Sequence, residues 1–247
     1  MPKQLVVFIY SFLLVCRASY AQQSIADTAV TGTEAVAGAI QVFHRSAGQQ
    51  SQLYNGRAHI PYQPSMLGSA YYVSNDPQAG AVEYDNILFR NVSLRYDEVR
   101  DKVVVQHFNT ISAFELFSDR VSRFWVGPHP FVRLVQPDND TAHTPTTGFY
   151  EILSTGKITL LARRKKLIIE FIENMEVKKR IELKESFFAR VDGRYYPVNS
   201  QNALLDVMQD RKREVQQFMK KNSAKFRKGP ENYLVKATDY YNNQPIR

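Results

Sequence analysis

At 247 residues and 44% hydrophobic content, the chain is long enough to build the core of one domain or of two small ones. Its lone cysteine, Cys16, excludes a disulfide framework within the chain. The net charge of +8 is unevenly spread: residues 22–156 carry 9 basic and 13 acidic side chains, and residues 157–247 carry 21 and 11. The C-terminal third therefore faces either something anionic or the acidic half of its own chain.

Residues 1–21 have the pattern of an export signal. Lys3 gives a positive start, Leu5 to Cys16 is an uncharged apolar stretch too short to span a bilayer comfortably, and Arg17 closes it. Ser19 and Ala21 place small residues at the minus-three and minus-one positions for cleavage before Gln22. Val15 is bulky beside Cys16, which favours a soluble product over a lipid-anchored one. Cleavage takes Lys3, Arg17 and Cys16 away, leaving 30 basic residues against 24 acidic, a net +6, and no thiol for nucleophilic or metal chemistry. The expected location is the periplasm or the extracellular medium, with outer-membrane association open. An exported chain of this size without a disulfide fits a bacterium better than an animal. The glycosylation triplets at Asn91 and Asn139 matter only in a host that glycosylates.

Residues 22–38 are small and polar, a leader with too little apolar surface to order itself. A helix is predicted over 39–54, with Ile40, Phe43 and Ala47 on one side and Gly56 as its left-handed cap. Residues 59–69 hold two prolines and a glycine and form a loop. From Ala70 the period becomes two: Val92, Leu94 and Tyr96 alternate with Ser93, Arg95 and Asp97. Asp85-Asn86 fits a two-residue hairpin turn, and the chain reverses again at Arg100 to Lys102. Further strands are predicted at 111–117, 121–126 and 130–135, followed by a long polar loop at 136–148. Thr155-Gly156 turns a hairpin whose return strand runs from Ile158 to Arg163, and Asp192-Gly193 turns another. Between them, residues 167–183 fit a strand or a helix equally. No helix long enough for a crossover lies between 70 and 163, so an antiparallel meander is the economical topology.

The C-terminus turns helical. Ser200 is the expected N-cap of a helix with an apolar stripe of Leu204, Leu205, Met208, Val215, Phe218, Met219 and Phe226. Gly229-Pro230 ends it and opens another helix carrying Tyr233, Leu234, Ala237, Tyr240 and Tyr241. The predicted organisation is a signal at 1–21, a leader at 22–38, a helix plus antiparallel β domain at 39–199, and a basic helical segment packed on it at 200–247. The fold class is α+β: a β-meander, as a sandwich or partial barrel, with an N-terminal helix and C-terminal helices.

The stretches "LYNGRAHIPY", "VEYDNILFRNVSLRYDEVRDKVVV", "GFYEILSTGKITLLARRKK" and "GRYYPVNSQNALLDV" resemble a family of uncharacterised exported proteins of Bacteroidetes. The similarity covers most of the mature chain and rests on turn and strand patterns. It implies an exported or envelope protein of a Gram-negative bacterium, and transfers no activity and no site residue.

No reactive constellation stands out. Ser69 lacks the second glycine of a nucleophile elbow, the five histidines share no ligand spacing, and no phosphate-loop motif is present. Asp97, Glu98 and Asp101 cluster at a turn with Arg95, Arg100 and Lys102, where a solvated turn with neighbouring cations would keep all three ionised. Neither a cofactor nor a metal is expected. Basic residues carry the functional weight: Arg163, Arg164, Lys165 and Lys166 between two apolar runs, then Arg211, Lys212, Lys220, Lys221 and Lys225 toward the end. The first block is expected at a charged rim where a strand leaves the sheet. On a single helix the later cations lie mostly away from the stripe, although Arg211 falls on it. Anionic lipid or an acidic envelope protein suits such a surface; nucleic acid ranks low, since an exported protein rarely meets it. The leading expectation is a non-catalytic binding or scaffolding protein. The alternatives are a lipid carrier, using strand aromatics such as Tyr84, Phe89, Tyr96, Phe108, Phe124 and Phe131, and a hydrolase without a motif.

Overall fold

A computed structural model describes residues 36–40, 42, 52–107, 111–138 and 145–245. The chain divides into two units, residues 1–49 and 50–247. In the first, residues 36–40 and 42 are helical; the signal, most of the leader and the middle of the predicted helix lie outside the described residues. Residues 52–54 form a 3₁₀ turn that buries Leu53. Gly56 is not a left-handed cap. A Cβ there would stand 2.3 Å from the Glu115 carbonyl oxygen, so glycine is needed for close backbone approach.

The second unit is an α+β fold built on one open antiparallel sheet of 11 strands. In chain order these are β1 (Arg57–Ala58), β2 (Gln78–Tyr84), β3 (Ile87–Asp97), β4 (Lys102–Gln106), β5 (Ala113–Glu115), β6 (Val121–Val126), β7 (His129–Leu134), β8 (Gly148–Ser154), β9 (Thr159–Glu173), β10 (Glu176–Val191) and β11 (Arg194–Pro197). Their order in the sheet is β1-β5-β4-β3-β2-β6-β7-β8-β9-β10-β11, two meanders leaving β2 in opposite directions. Asp85-Asn86 and Asp192-Gly193 make the hairpin turns their composition predicts, with positive φ at all four residues. Asn91, at φ 55°, sits where the β2–β3 register shifts, a bulge that adds twist.

The first half is rolled. Only residues 116–120 join β5 to β6, three of them in a 3₁₀ turn, which reaches ~16 Å. In a flat sheet those strands would lie four spacings apart, ~19 Å. The roll closes on aromatic residues: Phe124 stacks on Phe131 at 4.6 Å, and Tyr96 and Phe149 meet them at tilted or edge-on angles. The aromatics that would line a lipid cavity pack against one another, and Phe108 lies outside the described residues.

The same face continues into the second half. Phe131 lies opposite Glu151, Glu151 opposite Ala162, and Ala162 opposite Phe187. There it is roofed by α1 (Gln201–Val207), α2 (Lys212–Lys221) and α3 (Pro230–Asn242). Ser200 caps α1 by accepting from the Ala203 N–H at 3.1 Å, and Pro230 opens α3. The single long helix expected from Ser200 is broken at 208–211, where a 3₁₀ turn carries the buried Arg211, and it ends at Lys221, with Phe226 in a separate 3₁₀ turn. Leu204, Leu205, Met208, Val215 and Met219 form the buried stripe as expected.

The largest departure from expectation is in the sheet. The strand after Thr155-Gly156 does not leave the sheet at Arg163; β9 runs on to Glu173, turns at Asn174-Met175 and returns as β10. β8 pairs with β9 only as far as Ala162, and β11 pairs with β10 only from Phe188. Residues 163–186 thus form an arm with each strand ~36 Å long.

Candidate functional site

The opening block of cations falls at the root of this arm. Successive residues of β9 point to opposite faces, so Arg164 and Lys166 share the helix-covered face with Ala162, and Lys165 takes the other. Arg164 donates through Nε to Glu151 at 2.6 Å, through Nη2 to Glu231 of α3 at 2.5 Å, and through Nη1 to Glu185. Burial opposes its charge, and Glu151 and Glu231 overcome that penalty, raising its pKa. Lys166 binds Glu98 at 2.7 Å and the Tyr71 carbonyl at 2.6 Å. Arg163 reaches Asp101 at 2.8 Å and the Phe149 carbonyl at 2.6 Å. Of the four, only Lys165 has no carboxylate among the described residues, and it lies opposite Lys184 on the face away from the helices.

These contacts correct the picture of a solvated turn. Asp97 and Glu98 are buried, because the 97–101 turn docks on β9 through the bond from Lys166 N–H to the Glu98 carbonyl. Burial raises the Glu98 pKa, with Lys166 opposing the rise. Glu151 also accepts from Tyr72 at 2.9 Å and pairs with His129 at 2.8 Å. Burial, and then Glu151, push the Tyr72 hydroxyl pKa up, so it stays a proton donor. Every group in this seam is satisfied by another except Glu98 Oε1. Its chemistry is that of an ionic lock joining the rolled half, the arm and α3. No group of three or more His, Cys, Asp or Glu among the described residues is arranged to hold a metal ion.

Glu151, Glu231, Glu185 and Tyr72 carry the lock and were not singled out by sequence. Glu151 alone left a signal, a single acid inside the apolar run "GFYEIL".

The C-terminal cations divide differently. Arg211 is buried, bound to the Pro245 carbonyl at 2.6 Å and to Glu214 at 3.1 Å. Lys212 pairs with Asp206 at 2.7 Å. Lys220, Lys221 and Lys225 are exposed and reach no carboxylate among the described residues; the same holds for Arg213, Arg227 and Lys228. On α2 the two sides separate by helical spacing: Val215 and Met219 face the core and Phe218 stacks on Tyr240 at 4.0 Å, while Arg213, Lys220 and Lys221 point outward. The structure therefore does not bring the two basic segments onto one surface. Arg163, Arg164 and Lys166 are neutralised inside the chain, whereas Lys220, Lys221 and Lys225 stand open.

Comparison with models of protein families, with curated proteins and with solved structures finds no match.

Proposed function

We propose that this chain is an exported, non-catalytic binding or scaffolding protein of a bacterial envelope, whose basic face from α2 to the start of α3 contacts an anionic surface. The observation that carries the reading is the set of six exposed cations, Arg213, Lys220, Lys221, Lys225, Arg227 and Lys228, without a carboxylate partner among the described residues. Since α2 buries its apolar side against its own core, contact is electrostatic and involves no insertion. Among the described residues no helix is long and apolar enough to cross a membrane. The opening pattern of residues 1–21 supports export, and the resemblance to exported Bacteroidetes proteins supports the compartment.

Sedimentation with vesicles tests this. The protein is expected to pellet with phosphatidylglycerol-containing vesicles at low salt, to be released as salt rises, and to ignore neutral vesicles. Replacing Lys220, Lys221 and Lys225 by Gln removes about 1 kcal/mol each, so affinity is expected to fall by ~150-fold. Equal pelleting of wild type and triple variant, or none by either, refutes the proposal.

A further inference from the structure

The described residues include a concave site that the basic face does not touch. Between the 61–75 segment, β3 and β10 lies a groove of about 260 Å³. Its lining mixes rings and hydrocarbon, from Tyr62, Met66 and Ile181, with polar groups of Gln63 and Asn75, and its only charged side chain is Arg95. No acid lines it. The segment is held in place by a short parallel bridge: Leu67 N–H donates to the Lys179 carbonyl and Ile181 N–H to the Leu67 carbonyl, both at 2.9 Å. Gly68, at φ +96°, lets the backbone pass the Ile181 side chain there.

Two tyrosines of the groove, Tyr62 and Tyr71, are fixed from behind. The Tyr62 hydroxyl donates to Asp97 at 2.9 Å, and the Arg100 guanidinium covers its ring at 4.3 Å. Asp97 also accepts from the Val99 and Arg100 N–H groups, so its negative charge is already met by local donors. The Tyr71 hydroxyl meets His59 Nε2 at 2.6 Å, and His59 Nδ1 meets Glu115 at 2.9 Å. Groups held this way lose little freedom when a ligand arrives.

Arg95 is one of several arginines that reach no carboxylate among the described residues, and it is the one that lines the groove. Arg100, Arg163, Arg164 and Arg211 each reach a carboxylate. Arg95 stacks on Tyr71 at 4.6 Å and donates through Nη1 to the Asn75 carbonyl at 2.8 Å, but has no acid, and its Nε is enclosed without an acceptor. A planar guanidinium fork matches a carboxylate.

We propose that this groove binds a small organic carboxylate with an apolar body, its carboxylate on Arg95 and its body against Tyr62, Met66 and Ile181. An apolar cavity of about 150 Å³ accommodates one benzene ring, so the space here suits a ring plus a carboxylate. Phenylacetate is the probe, and 2-phenylethanol its neutral counterpart of similar size. Binding is read by titration with ring-carbon NMR of the tyrosines. Phenylacetate is expected to shift Tyr62 and Tyr71 resonances saturably, with 2-phenylethanol at least tenfold weaker. Arg95→Gln is expected to weaken phenylacetate at least tenfold and Arg95→Lys less than that. Met66→Trp, which fills the groove without touching the cation, is expected to abolish it. Saturable binding unchanged in Arg95→Gln, equal affinity for acid and alcohol, or no shift in the wild type at millimolar probe overturns the proposal. Replacing Lys220, Lys221 and Lys225 by Gln leaves this titration unaltered, so the groove and the basic face fail separately.

Discussion

The rolled half and the β9–β10 arm are made of the same antiparallel pairing, yet they are stabilised by different means. In the rolled half, each strand turns a row of large side chains inward, and rings meet rings across the curve. In the arm, both faces meet solvent over much of their length: Ile172 is 78% exposed, Val177 66% and Met175 fully. What organises it is charge across the strands, Lys178 with Glu173 and Lys179 with Glu170, while Arg180 binds Glu182 and covers the Phe171 ring at 5.2 Å. Exposed pairs of this kind contribute little each. Hydrogen bonding is thus shared by both regions, and burial separates them.

The largest test of that difference is to delete a ring from each. Phe124→Ala is expected to cost about 3–5 kcal/mol, because it opens a cavity in a closed cluster. Phe171→Ala is expected to cost less than about 1 kcal/mol, chiefly the contact with Arg180. Chemical denaturation of the two variants reads both numbers, and similar losses would break the comparison. Next comes the junction. Arg164→Ala leaves buried Glu151 without its guanidinium partner, and is expected to cost about 3 kcal/mol. Its neighbour Lys165→Ala, unpaired and opposite Lys184, is expected to cost nothing or to stabilise slightly.

A smaller gain is expected at the arm's tip. Asn174 and Met175 both hold positive φ, and Met175→Gly would supply Asn-Gly, the pair this turn favours. A stabilisation of ~1 kcal/mol is expected in hydrogen exchange of the arm amides, with core amides unmoved. The smallest effect concerns Glu98. Its pKa is raised in the fold by burial, so the native state holds the proton more tightly than the unfolded chain. Stability from this group therefore falls as pH rises from the ordinary carboxylate range through the raised value, and levels off above it. Glu98→Gln is expected to be more stable than wild type at pH 8, with the difference shrinking as pH falls. A difference that widens on acidification contradicts the assignment.

Much of the fold outside the arm was legible in the residues. Val121–Val126 forms the strand its alternation predicts, Asp85-Asn86 and Asp192-Gly193 turn as their composition requires, and Ser200 and Pro230 start helices. These are local signals, carried by neighbours in the chain. The arm was undecided because "LIIEFIE" places apolar residues on both faces, which erases the alternation that marks a half-buried strand. The sequence places the basic block at a rim because its partners are remote: Asp101 lies 62 residues from Arg163, and Glu231 lies 67 from Arg164. Burial of the 97–101 turn was hidden for the same reason, since β9 supplies what covers it.

Whether the open cations of the C-terminal helices carry contact with an anionic surface can be settled in one experiment. Binding of the whole protein to anionic vesicles is measured against salt for wild type, for Lys220, Lys221 and Lys225 changed together to Gln, and for Lys165→Gln. The account expects a shallower salt slope and ~150-fold weaker binding for the triple variant, and a curve close to wild type for Lys165→Gln. Coincident curves for wild type and the triple variant would contradict it.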